Sequence, residues 1–146
     1  MSKTNISIII IILIIIGYFG YQQMGNKAEV ITDENTEEIQ TLEYMDISVA
    51  EAMSLIETNP ELVIIDVSPN YAEGHLPGAI NYYVGDGSLD AAIPSLDKNG
   101  EYLVYCHFDS AAIAGAQKLI DAGFTTVYRL EGNYSGWVDA GYPTEK

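Results

Sequence analysis

Cysteine is almost missing from this chain: its 146 residues hold one, Cys106. No internal disulfide can form, and cysteine usage therefore says nothing about the redox compartment. Histidine is nearly as rare, with only His75 and His107. Two histidines and one cysteine without the spacing of a ligand set do not make a metal site. Cations are scarce too: 6 Lys and Arg stand against 21 Asp and Glu, a formal net charge of −15. Every acid follows Lys27, where only Lys98, Lys118, Arg129 and Lys146 oppose them. A face that binds phosphates needs clustered positive charge, so a nucleic-acid partner is not expected. Small anionic substrates receive no long-range steering from such a field. Solubility, or a salty medium, accounts for the acidity. There is no internal repeat.

What is present begins with a charge-free segment from Thr4 to Asn26, almost pure isoleucine over Ile6 to Ile16 and ending in Gly17-Tyr18-Phe19-Gly20-Tyr21. At about 1.5 Å per helical residue it just spans a hydrocarbon core of about 30 Å, with tyrosines at one interface. Residues 1–26 are therefore expected to form an N-terminal transmembrane helix. The competing reading is a signal segment, but no convincing small-x-small cleavage site follows and no cysteine for a lipid anchor. Lys3 and the terminal amine put the N-terminus in the cytoplasm, and hence the rest of the chain on the extracytoplasmic side. If the segment is cleaved, the protein is secreted instead. Residues 27–45 carry Glu29, Asp33, Glu34, Glu37, Glu38 and Glu43 with little apolar periodicity, and read as an acidic, solvated tether.

Residues 46–146 carry the pattern of one α/β domain, and 48% apolar residues in the whole chain are ample for a core. Ser48-Val49-Ala50-Glu51 is a capping box that opens a helix ended by Asn59-Pro60. Leu62-Val63-Ile64-Ile65-Asp66-Val67 is a continuous apolar run with a carboxylate at its end, the mark of a parallel strand covered on both faces. Gly74-His75-Leu76-Pro77-Gly78-Ala79-Ile80-Asn81 is a punctuated loop leading into a short strand. Ser88 N-caps a small helix limited by Pro94, and Asn99-Gly100 turns into the next strand.

That strand is Tyr102-Leu103-Val104-Tyr105, and it runs into Cys106. A polar turn, His107-Phe108-Asp109-Ser110, and an alanine-rich helical pattern follow at once, with Gly123 as the stop. A strand, loop and helix in this order aim backbone N–H groups, from about His107 to Ala112, and the positive end of the helix dipole at the sulfur. The turn is expected to lower the thiol pKa and keep Cys106 nucleophilic. Against this, a lone cysteine is commonly a buried, inert small hydrophobe. Thr125 to Leu130 reads as the last strand, and Gly132 to Trp137 starts a final helical turn. Alternating strands and helices imply right-handed crossovers.

Together these pieces resemble the rhodanese domain. The resemblance rests on Ile65-Asp66-Val67, Gly74 to Asn81, Val104-Tyr105-Cys106, Ala122-Gly123-Phe124, Val127 to Gly132, and Trp137 with Ala140-Gly141-Tyr142-Pro143, in the right order. It implies a three-layer fold with a central, mostly parallel sheet and helices on both faces. It also implies sulfur transfer through a persulfide on Cys106, from a sulfane-sulfur donor to a thiol or other nucleophilic acceptor. No cofactor or metal is needed. His107, Phe108, Asp109, Ser110 and Ala111 then form the active-site loop. Asp66 and Ser110 are expected to fix the loop and cap the helix, His75 to hold its own loop by hydrogen bonds, and Trp137 to pack the end helix.

Two departures weaken thiosulfate as the donor. The arginine of the usual C-x-x-G-x-R-S loop is replaced by Ala111, and Ser68 stands where an arginine often follows the Asp-Val strand end. Losing one charge-assisted contact costs about 1.5–3 kcal/mol, roughly one to two decades in rate or binding. Asp109 is expected to add negative charge near the sulfur, and His107, if protonated, to compensate in part. The alternative function is a non-catalytic, membrane-tethered binding or redox-sensing module. A phosphatase of the C-x-x-x-x-x-R type is set aside, since its arginine falls at Ala112.

Overall fold

The computed structural model describes residues 42–146. The expected membrane segment over 1–26 and most of the tether over 27–45 lie outside the described residues. Among the described residues no helix is long and apolar enough to cross a membrane.

The elements are β1 (Met45–Ile47), α1 (Val49–Thr58), β2 (Val63–Asp66), β3 (Ile80–Asn81), α2 (Ser88–Ala92), β4 (Glu101–Tyr105), α3 (Asp109–Asp121), β5 (Thr126–Leu130) and α4 (Asn133–Asp139). Short 3-10 turns at Tyr71–Glu73 and Ile93–Ser95 fill two of the connections. The five strands form one sheet in the order β1-β5-β4-β2-β3. All four pairings are parallel.

Side chains of a strand alternate between faces, and here both faces are covered. Ile65, Tyr102, Val104 and Val127 pack on one side with Leu89 of α2 and Ala112, Ala116 and Leu119 of α3. Ile64, Leu103, Tyr105 and Leu130 pack on the other with Ala52 of α1 and Trp137 of α4. This is the expected three-layer arrangement, and it explains why the strands read as unbroken apolar runs.

The capping box forms as expected. Ser48 N–H donates to Glu51 Oε2 at 2.8 Å, and Glu51 N–H donates to Ser48 Oγ at 3.3 Å. Other details differ from the sequence reading. The fold opens one element earlier, with β1 pairing β5 from Met45↔Tyr128 to Ile47↔Leu130. Three residues with an aspartate in the middle carry too little periodicity to be seen in sequence. Ser88 does not cap α2. Gly87 holds that position in the left-handed region, and Ser88 Oγ donates to the Tyr83 carbonyl instead.

Candidate active site

The site is assembled where β2 and β4 end side by side. Asp66 is level with Tyr105 in the register, so it lies beside the start of the cysteine turn. The carboxyl ends of parallel strands are where open α/β sheets leave room for ligands. Cys106 follows β4 directly and is fully buried. The backbone N–H groups of His107 and Phe108, which open the turn after it, favour the thiolate form.

The cradle is shorter than the sequence reading expects. The N–H groups of Ala111 and Ala112 both donate to the Phe108 carbonyl, at 3.2 Å each, and so close the first turn of α3. The N-cap of that helix is Phe108, not Ser110, and no side chain caps it. Ser110 makes no side-chain hydrogen bond among the described residues.

The thiol also differs from expectation. Burial pushes the Cys106 pKa up, the N–H groups of Phe108 and His107 oppose this, and the Asp66 carboxylate adds to the rise. Desolvation disfavours the thiolate more than two backbone donors favour it. The expectation of a lowered pKa is therefore corrected: the turn is present, but the sulfur sits too deep.

Asp109 was expected to burden the sulfur with its charge. Instead Oδ1 accepts from Arg129 Nη1 at 2.5 Å and from Asn133 Nδ2 at 3.0 Å. Arg129 also donates through Nε to Asp46 Oδ1 at 2.6 Å, so one guanidinium ties β1, β5 and the head of α3 together. Its pKa is raised, first by the bond to Asp46, and the Asp46 carboxyl is lowered by the same bond. The carboxylate that does act on the sulfur is Asp66. It is fully buried, and its Oδ1 accepts from the Ser68 N–H at 2.8 Å. Its Oδ2 has no protein hydrogen-bond partner among the described residues.

His107 is not a solvated loop side chain. It is 15% exposed, with Nε2 at 4.0 Å from Asp66 Oδ2 and without a hydrogen-bond partner. Its ring stacks on Tyr134, centroids 4.3 Å apart and planes 15° from parallel. Phe108, next in the loop, is 62% exposed at the mouth of the site.

The turn between β5 and α4 clamps the cysteine, a role not seen in the sequence. Asn133 Oδ1 accepts from the Cys106 N–H at 3.2 Å, and the Tyr134 N–H donates to the Cys106 carbonyl at 3.0 Å. Asn133 has a positive φ of 53°, directly after Gly132 at 77°. The Gly-Asn pair was the available signal, since both types tolerate the left-handed region. Arg129, the only arginine, placed inside an otherwise apolar strand, was another.

His75 and Trp137 are not part of the cysteine turn. His75 Nδ1 is 3.1 Å from the Tyr71 carbonyl, the two rings are stacked, and its backbone pairs with Glu145. Trp137 is buried in the second core, with Nε1 donating to the Pro143 carbonyl at 2.7 Å. Among the described residues no group of three or more His, Cys, Asp or Glu side chains is arranged to hold a metal ion.

Known proteins resemble this chain in sequence and in fold. The family description "Rhodanese-like domain" matches residues 48–140. A thiosulfate sulfurtransferase, GlpE, of Coxiella burnetii is 33% identical over 103 residues, covering 69% of this chain and 92% of that protein. Its namesake in Pseudomonas fluorescens is 30% identical over 103 residues, covering 70% and 92%. Among solved structures, the rhodanese-like domain of the Anabaena Alr3790 protein is 30% identical. It superposes with a TM-score of 0.64, covering 70% of this chain and 80% of that one.

Proposed function

We propose, because this chain belongs to the rhodanese-like domain family, that it transfers sulfane sulfur through a persulfide on Cys106. The observation that carries this is the sulfur's position between the end of β4 and the head of α3, where the backbone N–H groups of His107 and Phe108 favour an anion. A persulfide places its anionic outer sulfur one bond further out, and aligned N–H groups and the helix dipole stabilise such an anion. Thiosulfate is a poor donor for this site. The position of the loop cation is Ala111, and Ser68 is buried in a turn. Low-molecular-weight or protein persulfides, which need no clamp for a dianion, are the donors that fit, and a thiol is the acceptor. In this reading residues 1–26 tether the domain to a membrane on its extracytoplasmic side.

The second reading, a non-catalytic binding or redox-sensing module, draws on the complete burial of Cys106 among apolar neighbours. Intact-protein mass spectrometry after exposure to inorganic polysulfide separates the two. Sulfur transfer predicts a gain of one sulfur atom that is lost on thiol treatment and never appears in C106S. A binding module predicts no adduct, and partner capture indifferent to C106S.

A further inference from the structure

The site holds a buried carboxylate oxygen and a buried ring nitrogen close to each other. Asp66 Oδ2 and His107 Nε2 are 4.0 Å apart, and neither has a protein hydrogen-bond partner among the described residues. A buried polar atom left unpaired is costly, and two complementary ones side by side call for an explanation. A small rotation of either side chain closes the gap to a charge-assisted N–H···O bond. Such a bond would put the proton on Nε2 and leave the lone pair on Nδ1, which no protein group engages among the described residues. The stack on Tyr134 holds the plane of the ring.

Proton bookkeeping around Cys106 gives this pair a task. Sulfur transfer must remove the thiol proton and later protonate the thiolate that leaves. The guanidinium at the head of α3 is already committed, Arg129 being paired with Asp46 and Asp109. The charged or titratable groups around His107 are Asp66 from β2, Tyr134 from α4, Cys106 beside it, and Asp109 two residues on. Of these the imidazole is the group whose chemistry suits it both to accept and to return a proton.

We propose that His107 is the general base and acid of the sulfur-loading step and that Asp66 is its positioning residue, an inference that rests on the persulfide reading above. Nδ1 takes the Cys106 proton as Sγ attacks the outer sulfur of a donor R–S–SH. The donor's S–S bond breaks with its electron pair on R–S⁻, and Cys106 becomes Cys–S–SH. R–S⁻ then takes the proton from His107 and leaves as R–SH. The cysteine sulfur is oxidised to the persulfide level and the donor is reduced to a thiol, so no further oxidant is needed. The imidazolium, paired with Asp66, is also the cation that Ala111 does not supply.

The test is single-turnover loading of the full chain by cysteine persulfide, read by mass. H107A is expected to slow loading at saturating donor by roughly 10²-fold with its half-saturation unchanged, and added imidazole to restore the rate. H107Q can still donate to Asp66 but has no basic nitrogen to accept the thiol proton, so it is expected to be slow and as stable as wild type. D66N is expected to slow loading, with D66N/H107A no slower than H107A. A wild-type chain that loads while H107A loads equally fast, or a slow H107A that imidazole does not restore, overturns this inference alone. A wild-type chain that takes up no sulfur overturns the underlying reading as well.

Discussion

At the scale of the residue, Cys106 is governed by two opposed effects. Backbone donors favour an anion at the sulfur, and burial beside Asp66 disfavours it. Burial wins, so the resting thiol titrates above the ordinary thiol range. Alkylation of Cys106 in the folded protein is therefore expected to accelerate with pH on the alkaline side of a model thiol. D66N removes one of the two causes of the rise and moves the profile down toward that of the model thiol. An unchanged profile in D66N, measured by stopped alkylation and peptide mapping, would contradict the assignment.

Arg129 is the second residue on which the site turns. Its guanidinium is nearly buried, while Asp46 and Asp109 are 41% and 63% exposed, so water replaces part of what R129M removes. Charge-assisted bonds of this kind are worth about 1.5–3 kcal/mol when desolvated, and a net loss of roughly 2 kcal/mol is expected. The lowered Asp46 carboxyl sets the sign with pH. Its contribution is present above the ordinary aspartate range and is lost as pH falls through the lowered value, so the wild-type advantage in denaturant melts shrinks in acid. R129M also frees Asp109 to face the sulfur, and slower loading is expected at pH 7.

At the scale of the element, α3 lies close on the sheet because Gly115 faces Val67 and Val104. A β-carbon there would stand 2.9 Å and 3.1 Å from the two methyls of Val67 and 3.4 Å from Val104 Cγ1. Ala in place of Gly gains about 1 kcal/mol in helix propensity, but overpacking costs about 1–3 kcal/mol. Val67 joins Asp66 to the turn at Ser68, so it has little freedom to yield. G115A is expected to be net destabilising by about 1 kcal/mol, lowering Tm by roughly 4–8 °C. A stabilised G115A in a thermal melt would show that the contact relaxes.

Elements were legible wherever local chemistry agreed with the fold. The capping box at Ser48, the doubly covered strand over Val63–Asp66 and the strand-cysteine-helix junction are all local features. β1 was not legible, because its pairing with β5 spans more than eighty residues and its own pattern is three residues long. The site was legible in its nucleophile and its loop. It was not legible in Arg129, Asn133 and Tyr134, whose contacts with the loop depend on where β5 and α4 come to rest. The charges near the sulfur were misjudged for the same reason. Sequence adjacency put Asp109 there, whereas pairing of β2 with β4 puts Asp66 there.

At the scale of the whole molecule, the net charge of −15 sets a field that opposes anionic donors. Screening shortens its reach from about 10 Å at 0.1 M salt to about 3 Å at 1 M. Loading by thiosulfate is therefore expected to rise with ionic strength, on the order of 10-fold over that range. Loading by an uncharged organic trisulfide should stay flat. Thiosulfate loading that falls with salt would mean that a local cation receives the dianion after all. The acidic stretch ahead of the domain contributes to the same field, and a membrane tether would set that field beside a lipid surface.

The central claim is that Cys106 carries the transferred sulfur. The measurement that meets it most directly is intact mass and peptide mapping of the full chain after brief exposure to inorganic polysulfide and removal of excess reagent. The predicted result is one added sulfur atom on the peptide that contains Cys106, released to a thiol acceptor and absent from C106S. An unmodified Cys106 in the folded chain, with an adduct appearing only after denaturation, would contradict the account.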